Sequence, residues 1–336
     1  MRPASRLASR LAHLAAALSL GLAALGPLAA QAAEVVLYSS NNVDAIKVVT
    51  DLFGKKYPDI KISTVRAGTG ALMQRMKAEA GNPLGDIVWS GGVATLGANK
   101  DLFAPYKSPE AAAVPAAFRG PDDLWIGVNH HLMIIMVNEK ALKGVPAPKS
   151  WAELFDPRWK GKIIVADPER SGTAYAALYG IDEVHGKEGL AKLAQNVTVT
   201  PSSSAVYESV AKGEFPVGIT LETAAYEYVA GGMKEVRIIY PTEGAVLLSE
   251  GMVIIKGAKH LAEAQKLYDF LASREAQEAL FKAAYRRPIR QDIDVSKLST
   301  LPAISAVKTI AIDEAKAAAA QPTFFAGWKA ALAAVK

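Results

Sequence analysis

From residue 34 onward the sequence repeats one local pattern: a short apolar run, a turn of glycine or small polar residues, and then an amphipathic stretch. The pattern occurs three times within the first hundred residues, with apolar runs at 34–39, 60–65 and 86–89. Short β-branched runs predict strands, and apolar residues every three or four positions predict helices. This alternation is typical of α/β proteins in which a parallel sheet carries helices on both faces.

Another copy of the pattern lies at 162–180. The apolar run 163–165 predicts a buried strand, and Ser171 is a favourable N-cap for the helix expected after it. Free backbone N–H groups at a helix start, with the hydroxyls of Ser171 and Thr173 and the small Gly172, would form a cradle for an anion. An ordinary capped helix after a strand is the alternative interpretation of these residues.

The first 32 residues have the features of a secretory signal peptide. Three arginines precede an apolar run at 11–29, and small residues at 30–32 suit a signal peptidase. A membrane anchor is the alternative, but the run contains Gly and Pro and no stop-transfer charges follow it. We therefore expect cleavage near Ala32 and export of a mature chain of 304 residues.

Charge and cysteine content exclude several functions. Three of the 38 basic residues lie in the expected signal peptide, which leaves 35 against 33 acidic residues. A nearly neutral chain without a Lys/Arg stripe is not expected to bind nucleic acid. Because the chain has no cysteine, it has no disulfide, thiolate metal site or catalytic thiol. Its length suggests two domains.

The segment from Trp125 to Val137 is unusually long for a single strand. We expect it to begin in one domain and end in the other, with a hinge near Asn129 and a second hinge near Leu248. Adjacent residues of a strand point to opposite faces, so His130 and the histidine after it cannot both face a cleft. We expect His130 in the cleft, with a half-buried, hydrogen-bonded imidazole as the alternative.

More strands are predicted later in the chain, at 197–200, 217–220, 236–240 and 252–256. The strand at 252–256 is expected to return to the first domain. Residues from about 304 onward are rich in alanine and are expected to form helices that close that domain.

The most distinctive stretch is 148–162, where Ser150 and Glu153 form a capping box and Pro157 limits the helix to one or two turns. It resembles a motif of the periplasmic solute-binding proteins of the ferric-ion and sugar-phosphate family, which serve ABC importers. Shorter matches to this family cover nearly the whole mature chain, at 38–40, 89–92, 167–173, 240–244 and 286–290.

The resemblance implies a type 2 periplasmic-binding fold, with two lobes that are each a mostly parallel sheet flanked by helices, joined by hinge strands. We expect residues 33–128 and 250–336 in lobe 1 and residues 129–249 in lobe 2. The implied function is a monomeric, cofactor-free periplasmic protein that delivers a solute to a membrane permease. A secreted hydrolase is the alternative from another class, but the sequence has no Gly-x-Ser-x-Gly elbow and no histidine pair at zinc spacing.

In open α/β sheets, ligands lie beyond the carboxyl ends of the strands, so the polar turns should line one cleft between the lobes. Hydroxyls and backbone N–H groups, without a matching lysine, favour an anion such as a phosphorylated sugar or a phosphonate. The residues expected to bind the ligand are Ser39, Ser40, Asn41, Thr69, Gly70, Ser90, Gly91, His130, Ser171, Gly172, Thr173 and Ser203.

Charged side chains could meet the other end of the ligand. Glu222 and Glu243 are expected to accept hydrogen bonds from sugar hydroxyls or an ammonium group. A favourable charge at a helix start and a solvated turn are the respective alternatives. For the arginines at 286, 287 and 290 the sequence leaves three roles open: contact with the anion, bracing of the lobes, or an ion-paired turn.

Ferric ion is the leading alternative ligand. In the family, the resemblance implies two adjacent tyrosines as iron ligands, often with a histidine near the first strand. Here the candidates Tyr226 and Tyr228 are two positions apart, so on a helix they point to different faces, and 39–42 contain no histidine. These departures favour an organic anion.

Overall fold

A computed structural model describes residues 33–295 and 298–334. The expected signal peptide, 1–32, lies outside the described residues. Twelve strands in this part of the chain join one sheet. They are β1 (Ala33–Ser39), β2 (Ile60–Arg66), β3 (Ile87–Gly92), β4 (Phe103–Ala104), β5 (Ile126–Asn138), β6 (Ile163–Ala166), β7 (Val197–Thr200), β8 (Val217–Leu221), β9 (Val236–Ile239), β10 (Ala245–Ile255), β11 (Arg287–Pro288) and β12 (Thr309–Ala311).

Helices cover both faces of the sheet. The α-helices are α1 (Val43–Lys56), α2 (Thr69–Ala78), α3 (Val93–Gly97), α4 (Gly172–Asn196), α5 (Ser203–Ala211), α6 (Glu222–Ala230), α7 (Leu261–Ala272), α8 (Arg274–Ala284) and α9 (Glu314–Ala333). Short 3-10 helices lie at Lys100–Leu102, Pro109–Ala113, Ala116–Phe118, Pro121–Asp123, Ala152–Phe155, Pro157–Trp159 and Ile304–Ala306. No helix within the described ranges has the length and apolar character that crossing a membrane requires.

The order of the main strands is β2-β1-β3-β10-β5-β8-β6-β7. Parallel pairing joins β1 to β3 at one end and β6 to both β7 and β8 at the other. Between these groups, β10 and β5 run antiparallel to each other and to their outer neighbours. We call β1–β3 with helices α1–α3 lobe 1, and β6–β8 with helices α4–α6 lobe 2.

The strands β5 and β10 connect the two lobes. The long strand predicted at 125–137 is confirmed, because β5 spans Ile126–Asn138 and all of its residues except His130 are buried. The strand predicted at 252–256 is longer than expected, since β10 already begins at Ala245. Buried Ser249 and Glu250 break the apolar pattern, and a β-bulge follows Glu250. The expected hinge positions lie on these strands, and motion about them stays a prediction.

Helix α9 lies against α3 of lobe 1 and α4 of lobe 2. Its buried side chains Ala317, Phe324 and Trp328 belong to the same apolar cluster as Trp151 and Tyr175 of the lobe 2 side. Residues after 304 are expected to close lobe 1, and in the structure α9 contacts helices of both lobes. The exact lobe boundaries predicted from the sequence stay a prediction.

A buried ion pair fixes the start of α6. Arg287 donates from Nε and Nη2 to the two carboxylate oxygens of Glu222, at 2.6 and 2.9 Å. The two side chains are 1% and 0% exposed. Because Arg287 lies on β11, which pairs with β5, the ion pair joins α6 to a strand shared by both lobes.

We expect Glu222→Gln to lower the free energy of unfolding by roughly 3–5 kcal/mol, because it leaves the Arg287 guanidinium buried without its counter-charge. Urea unfolding of the ligand-free protein measures this. The control is Arg274→Gln, which breaks the Arg274–Glu278 pair on the surface of α8 and should change the free energy of unfolding very little, because exposed ion pairs contribute little. A loss for Glu222→Gln as small as that of the control would contradict the prediction.

Candidate functional site

A cavity of about 260 Å³ lies where the two lobes face each other. It is lined by the carboxyl end of β2, the starts of the helices α1, α2, α4, α5 and α6, and the middle of β5 and β10. This is the arrangement that the sequence predicts, with the polar turns at strand ends meeting in one cleft.

The lobe 2 wall of the cavity is a cluster of three hydroxyls. Ser171 Oγ lies 2.6 Å from Ser203 Oγ and 3.0 Å from Thr173 Oγ1, and Thr173 Oγ1 lies 3.1 Å from Ser203 Oγ. Ser171 Oγ also accepts the backbone N–H of Ala174, so Ser171 caps α4 as predicted. The cluster therefore lies at the starts of α4 and α5, where free backbone N–H groups and the helix dipole favour negative charge.

Arginines line the cavity from both lobes. Arg66 ends β2, Arg170 lies in the turn before α4, and Arg286 follows α8. Arg286 is only 7% exposed, and its Nε has no hydrogen-bond partner among the described residues. The sequence reasoning missed Arg66 and Arg170. Both arginines lie beside predicted strand ends, and this position could have identified them as candidates.

The floor of the cavity contains a buried carboxylate, Glu250. It accepts hydrogen bonds from Asn41 Nδ2 at 2.8 Å and Asn129 Nδ2 at 3.0 Å, and its Oε2 lies 3.2 Å from His131 Nε2. Burial works to raise the pKa of Glu250, but the hydrogen bond and charge of His131, the charge of Arg286 and the hydrogen bond from Asn129 lower it to about 2. Burial also lowers the pKa of His131. Glu250 is therefore ionised at neutral pH, with His131 Nε2 within hydrogen-bond distance of its carboxylate.

Of the residues expected to bind ligand, six line the cavity: Ser40, Asn41, Thr69, Ser171, Thr173 and Ser203. Ser39 lies beneath them, fully buried, and donates its hydroxyl to the carbonyl of Trp89. Ser90 and Gly91 belong to β3, and their side chains lie outside the described part of the chain.

Gly70 and Gly172 have a different role from the one expected, because they lie at the contact between the lobes beside the cavity. The Gly70 N–H donates to the carbonyl of Arg170 at 3.3 Å. A Cβ on Gly70 would lie 1.8 Å from the carbonyl oxygen of Glu169, and a Cβ on Gly68 would lie 2.4 Å from that of Arg170. Glycine at these positions allows the two backbones to approach.

His130 does not line the cavity, and this corrects the expectation. Its ring packs edge-on against Phe118, with ring centres 4.6 Å apart, and burial lowers its pKa to about 4. The neighbouring His131 faces the cavity instead. Only one of the two histidines faces the cavity, as strand alternation predicts, but which one does so depends on how β5 pairs with its neighbours.

Glu222 and Glu243 also lie away from the cavity lining. Both carboxylate oxygens of Glu222 are bound by Arg287. Glu243 accepts the backbone N–H groups of Trp151 at 3.1 Å and Ala152 at 2.9 Å, so it caps the 3-10 helix Ala152–Phe155. Neither carboxylate lines the cavity, because each is held by hydrogen bonds to distant parts of the chain.

The two candidate iron ligands do not line the cavity. The Tyr226 hydroxyl shares a hydrogen bond with Thr300 Oγ1, and its ring packs edge-on against Tyr285. The Tyr228 ring lies against Tyr207, with centres 6.3 Å apart. Within the described residues, no group of three or more His, Cys, Asp or Glu side chains could hold a metal ion.

Two known proteins are similar to this chain in sequence. A putative 2-aminoethylphosphonate-binding periplasmic protein of Salmonella typhi is 26% identical over 256 residues, which cover 72% of this chain and 73% of the relative. Iron uptake protein A1 of Synechocystis sp. is 26% identical over 324 residues, covering 88% of each chain.

The solved structure of the periplasmic binding protein AfuA from Actinobacillus pleuropneumoniae, with fructose-6-phosphate bound, matches with a TM-score of 0.81 and 26% identity. The match covers 89% of this chain and 98% of AfuA. The predicted two-lobed α/β fold and the family resemblance are thereby confirmed. The family model of the bacterial extracellular solute-binding proteins matches residues 82–317, more than half of the sequence, and the chain belongs to this family.

Proposed function

We propose that this solute-binding protein captures a small anionic organic solute, such as a phosphorylated sugar or a phosphonate, in the cavity between its lobes. The observation that carries the proposal is the cluster of Ser171, Thr173 and Ser203 hydroxyls at two helix starts. Among the described residues these three hydroxyls bond to one another and to the Ala174 N–H, so they can turn their protons toward an anion. Helix-start N–H groups add further donors.

The charges around the cavity support an anion. Arg66, Arg170 and Arg286 line it, against the carboxylates of Glu227 and Glu250. The oxygens of Glu250 are already engaged by Asn41, Asn129 and His131, and the three arginines outnumber the two carboxylates. A volume of about 260 Å³ lies just below the range that drug-sized ligands occupy, which favours a small solute.

The names of related proteins support the same class of ligand. One relative is called a putative 2-aminoethylphosphonate-binding protein, and one structural neighbour holds fructose-6-phosphate. Both ligands combine a tetrahedral phosphorus group with a polar organic body. The hydroxyl cluster suits the phosphorus group of either.

Solute-binding proteins of ABC importers deliver their ligands to a membrane permease. We place the mature chain in the periplasm, since the relatives are periplasmic and residues 1–32 have the pattern of a cleaved signal peptide. It would meet the permease there as a ligand-loaded monomer. We propose no enzymatic activity, and release of phosphate from a bound phosphate ester by the purified protein would contradict this.

Ferric ion is the second candidate, and the similarity to iron uptake protein A1 favours it. The expected tyrosines lie outside the cavity lining, so iron would need other ligands. Thermal-shift measurements distinguish the two candidate ligands.

The proposal is tested by thermal shift of the mature protein against ferric salts, sugar phosphates and phosphonates. A ligand at 100 times its dissociation constant adds about 2.7 kcal/mol of stability. We expect stabilisation by at least one phosphorus compound and none by ferric ion. Stabilisation by ferric ion alone would overturn the proposal.

Ser203→Ala should weaken binding of that phosphorus compound about tenfold or more, because a hydrogen bond to a charged group is worth about 1.5–3 kcal/mol. Since Ser202, not Ser203, caps α5, the stability of the ligand-free protein should change little. Isothermal titration and urea unfolding measure the two effects.

The control is Ser273→Ala, which removes the cap of α8 far from the cavity lining. It should lower stability by about 1 kcal/mol and leave the affinity unchanged. If both variants change affinity equally, the hydroxyl cluster does not hold the anion.

Gly70→Ala should weaken ligand binding at least tenfold, because its Cβ disrupts the lobe contact of the described structure. Ligand favours the state in which both lobes contact it, and a Cβ 1.8 Å from the Glu169 carbonyl prevents that approach. Gly70 lies inside α2, where alanine is the better helix former by about 1 kcal/mol.

Gly54→Ala is the matched control, because Gly54 also lies inside a helix and its Cβ would meet nothing within 4 Å. Titration calorimetry should show normal affinity for this control. Solution scattering should show compaction on ligand addition for the control and not for Gly70→Ala. Normal compaction of Gly70→Ala would exclude this role of the glycine.

A further inference from the structure

The proposed function leaves open what distinguishes one anionic solute from another. Besides the hydroxyl cluster, the cavity is lined by a polar pair where the start of α1 in lobe 1 meets α6 in lobe 2. There Asn42 Nδ2 donates to Glu227 Oε1 at 3.2 Å. Both residues line the cavity, and the hydrogen bond crosses from one lobe to the other.

The carboxylate of Glu227 has fewer hydrogen-bond partners than those of Glu222 and Glu250. Glu222 has two hydrogen bonds from one arginine, and Glu250 has three polar neighbours within 3.2 Å. Glu227 has the single Asn42 amide in hydrogen-bond range among the described residues. An ionised carboxylate offers about four acceptor positions, so Glu227 keeps unused acceptors at the cavity wall.

The environment of Glu227 makes unused acceptor positions on its carboxylate unfavourable. The side chain is half-buried, and this burial raises its pKa, while Arg286 and the Asn42 amide act in the opposite direction. A hydrogen-bond donor on a ligand would replace the water lost to burial. A second anionic group at the same place would be repelled.

Resting on the proposed function, we propose that Glu227 selects the solute: it accepts a hydrogen bond from a hydroxyl or protonated amine at the end of the ligand remote from the phosphorus group. The ligand class is therefore an organic phosphate or phosphonate with a donor-bearing body. Inorganic phosphate and alkylphosphonates, which lack this donor, occupy the hydroxyl cluster without engaging Glu227.

The test uses three phosphonates of similar size: 2-aminoethylphosphonate, 2-hydroxyethylphosphonate and propylphosphonate. Isothermal titration of the wild-type protein should show at least one of the two donor-bearing compounds binding about tenfold or more tightly than propylphosphonate. Which of them binds more tightly tells whether Glu227 reads an ammonium or a hydroxyl.

Glu227→Gln keeps the shape and an acceptor for Asn42 but removes the charge. We expect it to reduce the preference over propylphosphonate to less than about threefold, through weaker binding of the preferred compound. Glu208→Gln is the matched control, since Glu208 is exposed on α5 and does not line the cavity. It should keep the wild-type preference.

The outcomes separate the two proposals. If all three phosphonates bind the wild-type protein equally, or if Glu227→Gln weakens all three to the same extent, the role of Glu227 is overturned while the anion site stands. If none of the three binds and sugar phosphates also fail to bind, the proposed function falls, and the role of Glu227 falls with it.

Discussion

The cavity depends on one buried carboxylate. Glu250 is 4% exposed, and an ionised group so deeply buried is tolerated only when its acceptors are satisfied. Its three partners come from two places: Asn41 after β1, and Asn129 and His131 on β5. The bulge on β10 follows this residue, and bulges re-aim side chains. Satisfying Glu250 therefore fixes both central strands and the first polar turn of lobe 1 in one arrangement.

Features that depend on a few neighbouring residues could be predicted from the sequence. The cap at Ser171 is confirmed, because its hydroxyl accepts a hydrogen bond from the Ala174 N–H. The strand predicted at 163–165 is confirmed as β6. Their signals are local, because a cap and its helix, or a β-branched run and its turn, lie within one short stretch. The polar turns then met in one cleft because parallel strands end at the same edge.

The roles of the charged side chains could not be predicted, because they depend on partners far along the chain. Glu222 is held by Arg287, 65 residues away, and Glu243 caps a helix that starts 91 residues before it. Glu250 lies 121 residues from Asn129. Sequence spacing carries no information on such pairs. The choice between adjacent histidines failed for the same reason, since it is set by strand register.

Hydrogen-bond partners decide whether a polar group in the cavity stabilises the fold or is available to a ligand. Glu222 and Glu250 have satisfied oxygens, so they hold the fold together and offer little to a solute. Arg286 Nε has no partner among the described residues, and the hydroxyl cluster bonds mainly to itself. Under-satisfied buried groups reduce the stability of the free protein. A ligand that supplies the missing partners recovers this free energy on binding, and it does so only when the lobes contact it together. Under the proposed function, the same deficit that weakens the empty protein would give the solute its affinity and would couple binding to closure.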